Sequence, residues 1–129
     1  MVHYRSLGGG RTAHEGQDLD HLPSDGAAIL NADAKICGGV SEWMKIAALA
    51  QAHDLDIAPH GSQEVHIHLV AAISNGLILE YYPDRVHPMQ SRMYHHTLRL
   101  NDDGTVSPPD VPGMGADPNY EVLAPYRVG

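Results

Sequence analysis

The sequence contains no phenylalanine, one tryptophan and one cysteine. With aromatic residues at only 5%, a core has to be assembled from Leu, Ile, Val and Ala, which bury less area per side chain. Cys37 is the single thiol, so no disulfide can staple the chain internally. A lone thiol fits a reducing compartment, and the cytoplasm is the expected location. The first ten residues, Met-Val-His-Tyr-Arg-Ser-Leu-Gly-Gly-Gly, lack the apolar stretch of a signal peptide. No run approaches the roughly 18 apolar residues of a membrane span, so no membrane partner is expected. Positive charge is also scarce: eight Lys and Arg face sixteen Asp and Glu, for a net charge of −8. The basic residues are scattered, which argues against a nucleic-acid partner, because phosphate binding needs clustered Lys and Arg.

The 129 residues present suffice for one domain with a modest core. A complete β/α barrel takes about 250 residues. Residues 1–25 are polar and rich in Gly, His and Asp. Gly8-Gly9-Gly10 is followed by neither a strand–helix pattern nor Lys-Ser/Thr, so this segment reads as a flexible leader rather than a phosphate loop. The character changes at residue 26. Ala27–Asn31 is a short apolar run that reads as a buried strand. Ser41–His53 reads as a helix with Ser41 as N-cap and Trp43, Ile46, Ala47 and Ala50 as its buried stripe. Asp56–Ala58 reads as a second strand. Gln63–Ser74 reads as a second helix ended by Asn75-Gly76, and Leu77–Tyr82 as a third strand. Strands alternating with helices imply parallel pairing. Beyond Pro83, Thr97–Leu100 and Thr105–Val106 read as strands around a turn at Asn101–Gly104. Pro108–Gly115 should be irregular, and Tyr126-Arg127-Val128 reads as a last strand.

In parallel β/α folds, functional side chains gather at the C-terminal ends of strands. Asp33, His60 and Glu80 each stand at or just past such an end, each about one β/α unit from the next. A carboxylate beside an imidazole orients it and favours its protonated form, so Asp33 and His60 make a candidate general base. Glu80, if partly buried and protonated, can donate a hydrogen bond to developing negative charge. Against this, a single Asp, His or Glu at a strand end is ordinarily a solvated loop residue or a cap. A rival site is the histidine set His60, His66 and His68, followed by His95-His96, among ten histidines in all. On a strand, His66 and His68 share a face and can bind Zn²⁺ or a similar ion. On a helix they point about 200° apart. The helical reading leaves His66 exposed, packs His68 in the helix interface and puts His53 at a helix C-terminus. The rival functions are therefore a small His-rich metal-binding module and a non-catalytic oligomerising piece.

The wording around the three residues is more specific. It runs Asp33-Ala-Lys-Ile-Cys-Gly-Gly39-Val-Ser-Glu-Trp43, Ala47-Ala-Leu-Ala50, Ala58-Pro-His60-Gly and His68-Leu-Val-Ala-Ala72. Leu79-Glu80-Tyr81 and Pro109-Asp-Val-Pro-Gly113-Met-Gly115 follow. In order and spacing these segments resemble the C-terminal part of the enolase superfamily. The branch they resemble is the mandelate racemase type (the mandelate racemase/muconate lactonizing enzyme family), which includes acid-sugar dehydratases. The resemblance covers residues 26–129. It implies an α/β fold: the C-terminal portion of a TIM-type β/α barrel, about three units carrying strands six to eight, over 26–94. It implies a β-rich tail over 95–129 that packs on the capping domain of full-length members.

For chemistry, the resemblance implies Asp33 and His60 as a proton-transfer dyad, with Glu80 against the substrate carboxylate or enolate. The implied reaction abstracts the proton α to a carboxylate, with Mg²⁺ stabilising the enediolate, and ends in racemisation or loss of water. Muconate-cycloisomerase and dipeptide-epimerase types carry a Lys where this chain has Asp33, and Lys35 reads as structural. The family's metal ligands lie on strands three to five, which have no counterpart here. His14, Glu15 and Asp18 form no ligand pattern. The expectation is an incomplete barrel from a metal-dependent enzyme, with no metal site of its own and little turnover alone. Its open sheet edges favour self-association, and the complete enzyme would take a small carboxylate or acid-sugar substrate.

Overall fold

The computed structural model describes residues 29–128. The leader expected at 1–25 and the first residues of the strand expected at Ala27–Asn31 lie outside them. The described chain runs β1 (Ile29–Leu30), α1 (Val40–Ala52), β2 (Asp56–Ile57), α2 (Gln63–Ala71) and α3 (Tyr120–Leu123), then a 3₁₀ turn at Ala124–Tyr126.

Helix α1 buries the expected stripe of Trp43, Ile46, Ala47 and Ala50. Its start differs from expectation. Gly39, not Ser41, is the N-cap, with φ 103° and no side-chain cap bond. Glycine adopts that conformation without steric cost. The Gly39 N–H donates to the Ala34 carbonyl at 2.8 Å, which closes the turn leading into the helix. Glu42 in the first turn complements the helix dipole.

Strands β1 and β2 pair in parallel, with Ile29 opposite Asp56 and Leu30 opposite Ile57. The alignment continues past the named strands: the Ala58 N–H donates to Leu30 at 2.9 Å and the His60 N–H to Ala32 at 3.2 Å. On its other side Ile57 meets Gly76 in a parallel bridge. There the Ile57 N–H donates to Asn75, and the Leu77 N–H donates to Ile57, both at 2.8 Å. So β2 lies between β1 and the segment at Gly76. The strand expected over Leu77–Tyr82 is reduced to this one bridge. Farther along, the Tyr82 N–H is taken by the Gln63 side chain at 2.6 Å rather than by a ladder partner. Nor does Asn75-Gly76 cap α2, which ends at Ala71 with Ala72 as C-cap. Asn75 instead donates its amide to the Ala47 and Leu55 carbonyls, tying α1 to the approach of β2.

The core is mostly aliphatic, as the composition requires, but it is organised around the single tryptophan. Trp43 is fully buried among Ala32, Ala34, Ile46, Ala47, Ala50, Ile57 and Leu69. Its indole N–H donates to the Ala32 carbonyl at 3.1 Å. Helix α2 buries polar side chains as well: Gln63, Glu64 and His66. The exposed–packed assignment expected for its histidines is reversed. His66 is fully buried, whereas His68 is half-buried and reaches the Met114 carbonyl through Nε2 at 2.9 Å. Around His66, Nε2 accepts the Ala34 N–H at 2.9 Å, and Nδ1 faces the Gly61 carbonyl at 2.6 Å. A carbonyl can only accept, so Nδ1 carries the proton and the ring is neutral.

The tail is not β-rich. The turn expected at Asn101–Gly104 forms, but it closes a single antiparallel bridge between Leu100 and Val106. A second bridge joins Tyr94 to Pro118. In place of a last strand at Tyr126-Arg127-Val128 there is α3, whose N-cap Asn119 accepts the Val122 N–H, and then the 3₁₀ turn. Among the described residues no helix is long and apolar enough to cross a membrane.

Two outcomes follow from this packing. Trp43→Ala is expected to cost about 3–5 kcal/mol, the range for emptying a large aromatic site in a core, measured as a shift in the urea midpoint followed by circular dichroism. Burial holds the His66 imidazole below its ordinary value, against the opposing effects of its bond to Gly61 and of Asp33. Between that lowered value and the unfolded value of about 6.5, only the unfolded chain takes up the proton, so stability falls as pH falls. Urea midpoints read by Trp43 fluorescence should therefore be lower at about pH 5.5 than at about pH 7.5, and His66→Gln should remove that part of the dependence.

Candidate functional site

The parallel register decides which side chains meet. Because the alignment runs on through Ala32 and His60, the next residue of the first segment, Asp33, comes to the side of His60. Asp33 Oδ2 lies 3.3 Å from His60 Nδ1. The other oxygen, Oδ1, accepts the Lys35 N–H at 2.8 Å, an Asx-type turn that fixes the carboxylate. The Asp33 carbonyl also accepts the N–H groups of Ile36 and Cys37. Lys35 therefore serves this turn through its backbone.

The two partners differ in access. The Asp33 side chain is 10% exposed and that of His60 51%. A sheltered carboxylate thus stands behind an imidazole open to solvent. A carboxylate that only accepts can bond this ring only if the ring proton sits on Nδ1, which would leave Nε2 without one. Among the described residues no hydrogen bond engages Nε2. A separation of 3.3 Å is slightly long for such a bond.

Glu80 joins the pair through the backbone. Its Oε2 accepts the Gly61 N–H at 2.6 Å. In this contact Glu80 is the acceptor, so a donating role would fall to Oε1. Gly61 has φ +56°, and a Cβ placed on it would lie 3.9 Å from both Asp33 Oδ2 and Tyr82 Cε2. Asp33, His60 and Glu80 thus all converge on Gly61. Cys37 lies close to Asp33 in the chain, and burial raises its thiol above the ordinary value. It stays protonated near neutral pH and is a poor nucleophile.

His66 is the member of this neighbourhood that sequence reasoning misplaced. Its Nε2 lies 3.8 Å from Asp33 Oδ1, but that nitrogen is committed as an acceptor to Ala34, so the contact is not an ion pair. Helical periodicity puts Val65, Leu69, Ala72 and Ile73 on one face and gives no reason to bury His66. The sequence carries no signal for it, because the groups His66 bonds, Ala34 and Gly61, lie outside the helix and its period.

Among the described residues no group of three or more His, Cys, Asp or Glu side chains could hold an ion. Both His66 nitrogens are bonded to backbone and His68 is turned to Met114, so the histidine set does not assemble.

Known proteins share this arrangement of chain. The family model for the enolase C-terminal domain-like family matches residues 7–122, and so extends into the segment read as a leader. The chain is 28% identical over 125 residues to 3,6-anhydro-alpha-L-galactonate cycloisomerase of Streptomyces coelicolor, covering 96% of this chain and 33% of that protein. It is 32% identical over 106 residues to L-rhamnonate dehydratase of Saccharopolyspora erythraea, covering 76% of this chain and 27% of that protein. Among solved structures, L-talarate dehydratase from Polaromonas sp. JS666, complexed with Mg and L-glucarate, matches with a TM-score of 0.74 at 28% identity. That match covers 89% of this chain and 31% of the other. The chain therefore spans about a third of the length of these relatives. With a match over most of its own length, the chain belongs to the enolase C-terminal domain-like family, within the enolase superfamily and beside its mandelate racemase/muconate lactonizing enzymes and acid-sugar dehydratases.

Proposed function

We propose that this chain carries the proton-transfer side of an acid-sugar dehydratase or racemase site, at the ends of the sixth, seventh and eighth strands of a β/α barrel. The observation that supports this most directly is the sheltered Asp33 carboxylate on Nδ1 of the open His60 ring, at 3.3 Å. His60 Nε2 takes the proton α to the substrate carboxylate, or returns a proton to a departing hydroxyl. Asp33 holds the ring in the tautomer that leaves Nε2 basic and stabilises the imidazolium that forms. Glu80, fixed on the Gly61 N–H, faces the carboxylate end of the substrate.

A divalent metal such as the Mg of the L-glucarate-complexed relative would supply charge stabilisation to an enediolate. Among the described residues no three His, Cys, Asp or Glu side chains come together to hold it. The complete reaction belongs to a longer assembly, and the purified chain is expected to give no metal-dependent dehydration of acid sugars such as L-glucarate. Measurable turnover by the chain alone would overturn the half-site reading.

The dyad itself is tested by ¹⁵N NMR of the imidazoles. Wild-type His60 should hold its neutral-state proton on Nδ1, and Asp33→Ala should shift it toward Nε2. A wild-type ring protonated mainly on Nε2 contradicts the assignment.

The sheet edge supports a second expectation. Among the described residues β1 is bonded to β2 alone, and Ile29, Val40 and Met44 are exposed. Unpaired strand edges and apolar surface favour association. Light scattering at high micromolar concentration should give a mass above the 14.0 kDa of one chain, and a monodisperse single-chain mass would refute it.

A further inference from the structure

We infer that His66 is the positioning residue of the Asp33–His60 pair, a rigid strut that sets the gap between the two loops carrying them. The inference rests on the proton-transfer reading above and goes beyond it to a residue that touches neither substrate nor reacting atoms.

The regular ladder ends at the bond from the His60 N–H to Ala32. Asp33 and His60 therefore stand at the limit of backbone pairing, where a separate device has to hold their spacing. His66 bonds to the residue that follows each of them. Its Nε2 accepts the N–H of Ala34 at 2.9 Å, and its Nδ1 donates to the carbonyl of Gly61 at 2.6 Å. The imidazole between these bonds is planar and has no internal torsion. It is fully buried, with the Trp43 ring centroid 6.0 Å away at 35°.

Gly61 is gripped from both sides, its carbonyl by His66 and its N–H by Glu80. One buried ring thus links the loops of all three site residues. The arrangement works only for the neutral ring protonated on Nδ1. A proton on Nε2 would set two donors, the ring N–H and the Ala34 N–H, against each other. The charged and titratable groups acting on the ring are Asp33, Lys35 and His60.

The test uses the full ¹⁵N-labelled chain, with His66→Leu, which removes both bonds, and His66→Gln, whose amide offers an acceptor and a donor at a similar separation. In the wild type, His66 should be protonated on Nδ1 and show coupling across the hydrogen bond from the Ala34 amide to Nε2. His66→Leu should move the His60 ring-nitrogen signals to those of Asp33→Ala, whereas His66→Gln should keep them at their wild-type positions. A merely structural His66 would lower the unfolding midpoint in the Leu variant and leave the His60 signals unmoved, and that result overturns the proposal. Should His66→Leu fail to fold, wild-type His66 protonated on Nε2, or folded His66→Gln with His60 signals like those of Asp33→Ala, overturns it equally. If Asp33→Ala leaves the His60 signals unchanged while the His66 coupling persists, the dyad reading fails instead.

Discussion

The pairing of Leu30 with Ile57 is the constraint on which the rest of the described chain depends. Side chains alternate across a strand, so a slip of one residue would turn Asp33 or His60 to the opposite face. The same slip would take the Ala32 carbonyl away from the Trp43 indole and the His60 N–H that it now accepts. It would also move Ile57, whose N–H and carbonyl are bonded to Asn75 and Leu77, from its place opposite Leu30. Two short strands can hold this register because their flanks are committed elsewhere. Asn75 fastens α1 to the approach of β2, and Asn31 donates its side-chain amide to the Ala58 carbonyl.

How much of this was legible in the sequence depends on where the information sits. The α1 stripe is a local periodic signal, and Trp43, Ile46, Ala47 and Ala50 are buried as the period requires. Positions at strand ends follow from the alternation of elements, and the structure brings Asp33, His60 and Glu80 around Gly61. The extent of a strand is a different matter, because it depends on partners. Leu77–Tyr82 has the residues of a strand, but Leu77 and Ile78 are exposed and Tyr82 is bonded by a side chain of α2. The tail follows the same logic: Leu100 and Val106 make one bridge without a sheet to extend it, and Asn119 starts a helical turn through a local cap. Ser41 has the chemistry of a cap, yet Gly39, with its positive φ, takes the cap position two residues earlier.

The buried polar groups of α2 were the least legible part. Gln63 and His66 are tied to backbone groups outside the helix, at Tyr82, Ala34 and Gly61. Glu64 is tied to the Gln90 side chain. Apart from Gly61, five residues before His66, these partners lie 19 or more positions away. A period of 3.6 sorts residues by apolarity, and so treats a buried residue whose hydrogen bonds are met at a distance as a surface residue. The helix serves the fold less as an apolar plank than as a set of connectors, with Gln63 and His66 satisfying backbone that the short ladder leaves free.

The crossing at Gly76 has a consequence for how this sequence can vary. A Cβ there would lie 2.7 Å from the Val70 carbonyl oxygen and 3.0 Å from Val70 Cγ1. The nearer of these atoms belongs to backbone and cannot swing aside. Every codon change that replaces this glycine adds a Cβ, so the end of α2 and the Ile57 bridge would have to part before any other residue fitted. Position 76 is thus closed to mutational drift while the exposed positions next to it, Leu77 and Ile78, remain open. Inheritance of this topology is written in one hydrogen atom where a side chain would otherwise begin.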